Sequence, residues 1–165
     1  ALEYFLTARD YVDTADSRKE LEALILINIG NIYYRNEDFE GAKYQYEQGR
    51  SLALESKQEG LAATASNNIG LLFLKKKTFD NAHFYFKEAL NLRKKLSDDY
   101  LVAHSLQYMG MLKYHGKEMD SAAYYYTRAI EVANSLKDDQ KEMLLKNIPM
   151  AKMGKGEDIA NIAMF

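Results

Sequence analysis

Cysteine is absent from this 165-residue chain. That excludes disulfides, thiolate metal sites and a cysteine nucleophile, and it fits a cytoplasmic setting. Tryptophan is absent too, and proline occurs once, at Pro149, so little in the chain breaks a helical pattern. No apolar run approaches the ~18 residues of a membrane-spanning helix, and no membrane role is expected. A basic excess is also missing. Lys and Arg number 22 against 24 Asp and Glu, for a formal net charge of −2, which argues against a nucleic-acid surface. The two basic runs, Lys75-Lys76-Lys77 and Arg93-Lys94-Lys95, read as helix C-termini, where cations suit the dipole. No basic-then-apolar leader opens the chain at Ala1, and the sequence reads as an excerpt of a longer protein.

The residues of catalysis are sparse as well. The three histidines are His83, His104 and His115. His104 and His115 stand about 16 Å apart along a helix at 1.5 Å per residue, too far to share a metal ion. There is no phosphate-binding glycine loop and no nucleophile with a base beside it in sequence. No enzyme activity, cofactor or metal is expected of this region.

What is present is a period. The stretch from Asn28 to Gly49, NIGNIYYRNEDFEGAKYQYEQG, returns forty residues later from Asn68 to Ala89, NIGLLFLKKKTFDNAHFYFKEA, and a third time beyond. Gly30, Gly70 and Gly110 fall in register, as do Ala23, Ala63 and Ala103. Ala42, Ala82 and Ala122 form a further column, followed by Tyr46, Phe86 and Tyr126, then by Gly49, Ala89 and Ala129. Apolar residues lie at helical spacing in both halves of each copy, separated by a short polar gap such as Asn36-Glu37-Asp38, so each copy reads as two antiparallel helices. Glycine inside a helix costs about 1 kcal/mol against alanine; its recurrence at one place implies close helix contact with the aromatic column beside it. One pair cannot bury its own apolar face, so an all-α stack of pairs is expected. The units are 23–62, 63–102 and 103–142. Residues 1–12 match the second helix of an upstream unit. Residues 143–165 read as a partial, degenerate fourth unit, with Met150 in the glycine column and Pro149 inside its first helix.

Glycine three residues before an aromatic, then alanine, aromatic and small residue at spacings of four and three, resembles the tetratricopeptide repeat. The resemblance covers nearly the whole chain and implies a right-handed α-solenoid. Leu26, Ser66 and Leu106 stand where that family often has tryptophan, Lys113 stands where Tyr33 and Phe73 do, and the closing proline is missing. Forty residues, against the usual repeat of about 34, implies longer helices with a similar turn. This long variety is similar to that of bacterial peptide-pheromone receptors, sensor-kinase input regions and polarity or motor adaptors. It implies a non-enzymatic peptide- or protein-binding module, the partner-sensing region of a larger bacterial regulator. The alternatives are a scaffold for complex assembly and the regulatory array of an enzyme whose catalytic domain lies elsewhere.

In such arrays the first helices line a concave groove. The positions opposite the packing columns are Leu24, Ile27, Asn28, Asn31, Tyr34 and Arg35 in the first unit. In the second they are Thr64, Asn67, Asn68, Leu71, Leu74 and Lys75, and in the third His104, Gln107, Tyr108, Met111, Tyr114 and His115. The fourth offers Leu144, Asn147, Ile148, Ala151, Gly154 and Lys155. No Asp or Glu occurs among them. Amides with donor and acceptor suit a peptide backbone, and an acidic or free C-terminal end is the expected preference; the alternative is that Asn28 and Asn68 satisfy neighbouring backbone, and that the tyrosines line seams between units. The carboxylate clamp of the family's chaperone-tail binders is matched at Asn31 and Asn68 but lost at Ile27, His104 and Tyr108. A further aromatic column, Tyr44, Phe84 and Tyr124, either packs on the following unit or forms a convex patch for self-association or an adjoining domain.

Overall fold

The computed structural model describes residues 15–146 and 148. Among them lie seven helices and no strand: α1 Ala15–Arg35, α2 Phe39–Glu55, α3 Glu59–Lys75, α4 Phe79–Lys95, α5 Asp99–His115, α6 Met119–Ala133 and α7 Asp138–Leu145. The expected helix at 1–12, and Asn147, Pro149, Met150, Ala151, Gly154 and Lys155 of the fourth unit, lie outside the described residues.

The helices α2 to α5 are each 17 residues long, joined by three-residue turns. The middle residue of every turn from α1 to α6 has a left-handed backbone: Glu37, Lys57, Lys77, Ser97 and Lys117, with φ between 53° and 62°. The forty-residue period is therefore two twenty-residue steps. Four of the five turns close as Schellman motifs: the Glu37 and Asp38 amides donate to the Tyr34 and Tyr33 carbonyls at 3.1 and 3.0 Å, and Lys77 and Thr78 donate likewise to Leu74 and Phe73, whereas of the corresponding pair at the α4–α5 turn only the Ser97 amide donates, to Lys94 at 3.3 Å. The residue that ends one helix then caps the next, as Asp38 accepts from the Gly41 amide at 2.8 Å and Asp98 from Leu101 at 3.0 Å. None of the five left-handed residues is glycine. Lys57→Gly is expected to stabilise the fold by about 0.5–1 kcal/mol, relief of the left-handed strain exceeding the added unfolded-state entropy; urea unfolding checks it, and a loss of stability would contradict it.

The small-residue columns are the packing columns. Ala23, Ala63, Ala103, Ala42, Ala82 and Ala122 are fully buried, and Tyr46, Phe86 and Tyr126 are buried beside them. A Cβ added at Gly30, Gly70 or Gly110 would fall 2.5–2.6 Å from the ring of Tyr46, Phe86 or Tyr126. The helix pairs lie on these contacts.

Neighbouring first helices touch one another, α1 with α3 and α3 with α5, whereas the second helices α2, α4 and α6 are held apart. The stack is tighter on its first-helix side, which makes that side concave and opens clefts between second helices on the convex side. The fold is a right-handed α-solenoid.

The fourth unit departs from the expected register. Four residues, not three, separate α6 from α7. Leu144 and Ile148, placed on the groove face by the forty-residue count, are buried in the cluster that holds Tyr126 and Ala129. The shortened α6 and longer turn shift the helix phase by one position.

Candidate functional site

The concave face is carried by α1, α3 and α5. Asn28 and Arg35 are exposed and make no hydrogen bond or ion pair to a described residue, and Asn31, Tyr34, Asn68, Tyr108 and Tyr114 are half-buried. Two of the amides meet: the Asn68 Nδ2 donates to Asn31 Oδ1 at 3.1 Å, and the same oxygen accepts from the Tyr46 hydroxyl at 2.9 Å. One function of these amides is thus to tie α1, α2 and α3 together. Burial pushes the Tyr46 phenol up to about 12, so it donates at any physiological pH. Lys75 lies over the Phe39 ring at 4.5 Å and the Tyr34 ring at 5.6 Å, with Glu37 at 4.0 Å, so its charge is partly engaged at the groove rim.

On α5 the groups are freer. The His104 ring sits edge-on to Tyr108 at 4.8 Å and close to Tyr100 at 6.2 Å, and Tyr108 stacks on Phe86 at 5.3 Å. Neither His104, nor Tyr108, nor Gln107 makes a side-chain hydrogen bond to a described residue. Tyr114 and His115 meet edge to face at 5.9 Å at the helix end.

Other expected groove residues lie inside. Ile27 and Asn67 are each 2% exposed, Gln107 is 8% and Leu74 9%. Leu71 and Met111 pack against the cluster of Leu74, Phe86 and Met109. One helical position turns a side chain by about 100°, so Asn67 points into the stack although Asn68 borders the groove.

Asn67 has a partner that its sequence position did not announce. Arg93, read as part of a solvent-facing basic run, is 5% exposed. Its Nη1 donates to Ser105 Oγ at 2.9 Å and lies 3.3 Å from the Leu101 carbonyl. The Asn67 amide is assigned with its oxygen toward the guanidinium, where it accepts from Nη1 at 2.7 Å and Nη2 at 2.9 Å. Nε has no partner, and no described carboxylate pairs with the charge. Burial lowers the guanidinium's pKa, and burial followed by Arg93 itself holds His104 below its ordinary value, so the imidazole is neutral at pH 7. The signal was in the columns: Arg93 stands where the other units have the buried Ala53 and Ala133.

The convex side carries the aromatic column. Tyr44, Phe84 and Tyr124 are each about 60% exposed, which overturns the expectation that they pack on the following unit. Their neighbours Tyr85 and Tyr125 are the half-buried ones; Tyr85 stacks on Phe73 at 5.6 Å. Beside this column Arg50 grips Glu88 in a two-point ion pair, its Nε 2.8 Å from the carboxylate, and the Ser66 hydroxyl donates to the same group at 2.7 Å. Burial acts to raise the Glu88 pKa, but Arg50 and Ser66 outweigh it and the carboxyl lies below the ordinary 4.5. A depressed folded-state pKa contributes stability that is present above the unfolded value and lost as pH falls through the folded one. The contribution of Glu88 is therefore expected to be constant from neutral pH to about 5 and to be lost below 4.5, with Glu88→Gln showing a shallower acid slope in chemical unfolding at pH 3 to 5. Equal slopes would rule the pair out as an acid-sensitive clasp.

Among the described residues no group of three or more His, Asp or Glu is placed to hold a metal ion, and no helix is long and apolar enough to cross a membrane.

Residues 61–135 match the family model described as tetratricopeptide repeat. Two solved structures share the fold. One is BtubC (BKLC) from P. vanneervenii, 22% identical with a TM-score of 0.73 over 92% of this chain, which spans 65% of that protein's length. The other is the N-terminal domain of stress-induced protein-1 (STI-1) from C. elegans, 18% identical with a TM-score of 0.58, over 78% of this chain and 96% of that domain. No curated protein matches in sequence. Residues 61–135 thus carry the sequence pattern of that repeat within the fold that the two structures share.

Proposed function

We propose that the concave face of α1, α3 and α5 holds a peptide or partner segment with an acidic or free C-terminal end, in the service of a larger bacterial regulatory protein in the cytoplasm. The observation that carries this is the α5 surface: His104 and Tyr108 offer hydrogen-bonding groups that no described residue engages, above an interior guanidinium with no ion pair to a described carboxylate. Asn28 and the free half of the Asn68 amide extend the same polar face, and Tyr34, Tyr108 and Tyr114 supply aromatic anchors. A scaffold that joins two proteins without sensing either, or an array regulating a catalytic domain elsewhere, would use the same face and differ in what flanks it.

The test is calorimetric titration of a ligand selected from a peptide library. Tyr108→Ala is expected to weaken it by about 2 kcal/mol, roughly thirtyfold, by removing an anchor. Asn68→Ala is expected to cost about 1 kcal/mol, less than a free amide would, because one N–H already serves Asn31. Library winners rich in lysine, or binding indifferent to both changes, would overturn the assignment.

A further inference from the structure

On the opposite, convex side, a cleft of about 480 Å³ opens between α4 and α6 with α5 as its floor. One wall is a single helical stripe of α4, His83, Lys87, Asn91 and Lys94, running about 16 Å at 1.5 Å per residue. The floor, Leu90, Leu106 and Met109, is apolar, and Tyr124 and Arg128 stand on the far wall. No described carboxylate lines the cleft. Arg128 is steadied from outside it by Glu131, at 2.7 Å, while Lys87 and Lys94 are exposed and unpaired among the described residues.

The repeat supplies its own control. Forty residues earlier the same junction is bridged, because Arg50 reaches across from α2 to Glu88 on α4. In the later junction those two places are Leu90 and Arg128, which cannot pair. Glu47 becomes Lys87 and Leu54 becomes Lys94 in the same step. A charge-balanced, bridged seam has turned into an open, uniformly basic one over an apolar floor. Nothing in helix packing calls for that change; three cations around one cleft, of which only Arg128 has a described carboxylate partner, repel one another and are relieved by an anionic partner.

We propose that this cleft binds an acidic amphipathic helix of a partner protein, its carboxylates meeting Lys87, Lys94 and Arg128 and its apolar side chains covering Leu90, Leu106 and Met109. The occupant must bring apolar surface as well as charge, which disfavours a phosphate backbone. It must also bring its own backbone hydrogen bonds: the walls are helices whose amides and carbonyls bond internally, and an extended peptide would leave its backbone unpaired over the apolar floor. Two parallel helices over a third form a trough that a helix fills by ridges and grooves. This site stands apart from the concave groove and does not rest on it.

The probe is a labelled, end-capped peptide of about three helical turns in which leucine and glutamate occupy opposite faces, with its lysine analogue as control, followed by fluorescence anisotropy. The glutamate peptide is expected to bind and the lysine peptide not. Lys87→Glu with Lys94→Glu, both at exposed positions, should weaken binding about tenfold or more. Rebuilding the earlier bridge with Leu90→Arg and Arg128→Glu should close the cleft and abolish binding while the circular dichroism stays helical. Binding of the glutamate peptide that survives the two lysine changes, equal binding of the lysine peptide, or binding of single-stranded RNA or anionic phospholipid vesicles in place of the helix would each overturn the proposal.

Discussion

Gly70→Ala is expected to destabilise the protein by about 2 kcal/mol. Overpacking a filled core costs up to about 3 kcal/mol, and alanine returns about 1 kcal/mol of helix propensity. The new methyl would lie 2.6 Å from two ring carbons of Phe86 and 3.2 Å from a third. The ring has nowhere to go. It is fully buried and stacks at 5.3 Å, nearly parallel, on Tyr108, so retreat would drive Tyr108 into the groove. Gly60→Ala is the matched control, because there the added methyl meets only Leu96 at an ordinary 3.7 Å; that change should stabilise by about 0.5–1 kcal/mol. Guanidinium unfolding of both variants decides the matter. Should Gly70→Ala prove neutral or stabilising, the glycine column would mark chain economy and not helix contact. Partial recovery in Gly70→Ala/Phe86→Leu would place the strain in the ring.

The columns were legible in sequence because packing repeats. A glycine that meets an aromatic ring sixteen residues on must do so in every unit, and three copies display the rule. The turns were less legible, since their left-handed positions hold Glu37, Lys57, Lys77, Ser97 and Lys117 and no glycine marks them; the twenty-residue step therefore stayed hidden inside the forty-residue one. The groove was legible only as a face. Helical spacing ranks positions by angle, and the border between interior and surface falls between neighbours, so Asn68 stays on the face while Asn67, Ile27, Gln107 and Leu74 turn inward. Arg93 was masked by the two lysines after it. A run of like charge reads as solvated, and only the column it shares with Ala53 and Ala133 exposes the exception. The convex cleft needed three dimensions, because the loss of the Arg50–Glu88 bridge becomes visible only when residues 38 apart are seen to touch.

Asn67→Leu alone is expected to cost about 2–3 kcal/mol, since it strips two charge-assisted hydrogen bonds from a guanidinium that stays buried. Asn67→Leu together with Arg93→Met is expected to recover that loss and to equal or exceed the parent, because an apolar pair of similar volume needs no desolvation of charge. The first junction shows that the stack accepts this: the corresponding residues there are Ile27 and Ala53, both buried. Ser105 survives either change, its hydroxyl free to turn to the Leu101 carbonyl one helical turn back. If the double variant is as stable as the parent, Arg93 is not kept for folding, and its effect on the groove becomes the reason to look for. That effect has a direct readout. Arg93 helps to hold the His104 imidazole below its ordinary pKa, so its removal should raise the His104 titration midpoint in an NMR pH series, while His83, depressed by burial and by Lys113 and Lys87, should not move. A double variant as unstable as Asn67→Leu would make the polar cluster a folding element. An unmoved His104 would show that the buried charge does not reach the groove, and the preference for an acidic ligand would lose its main support.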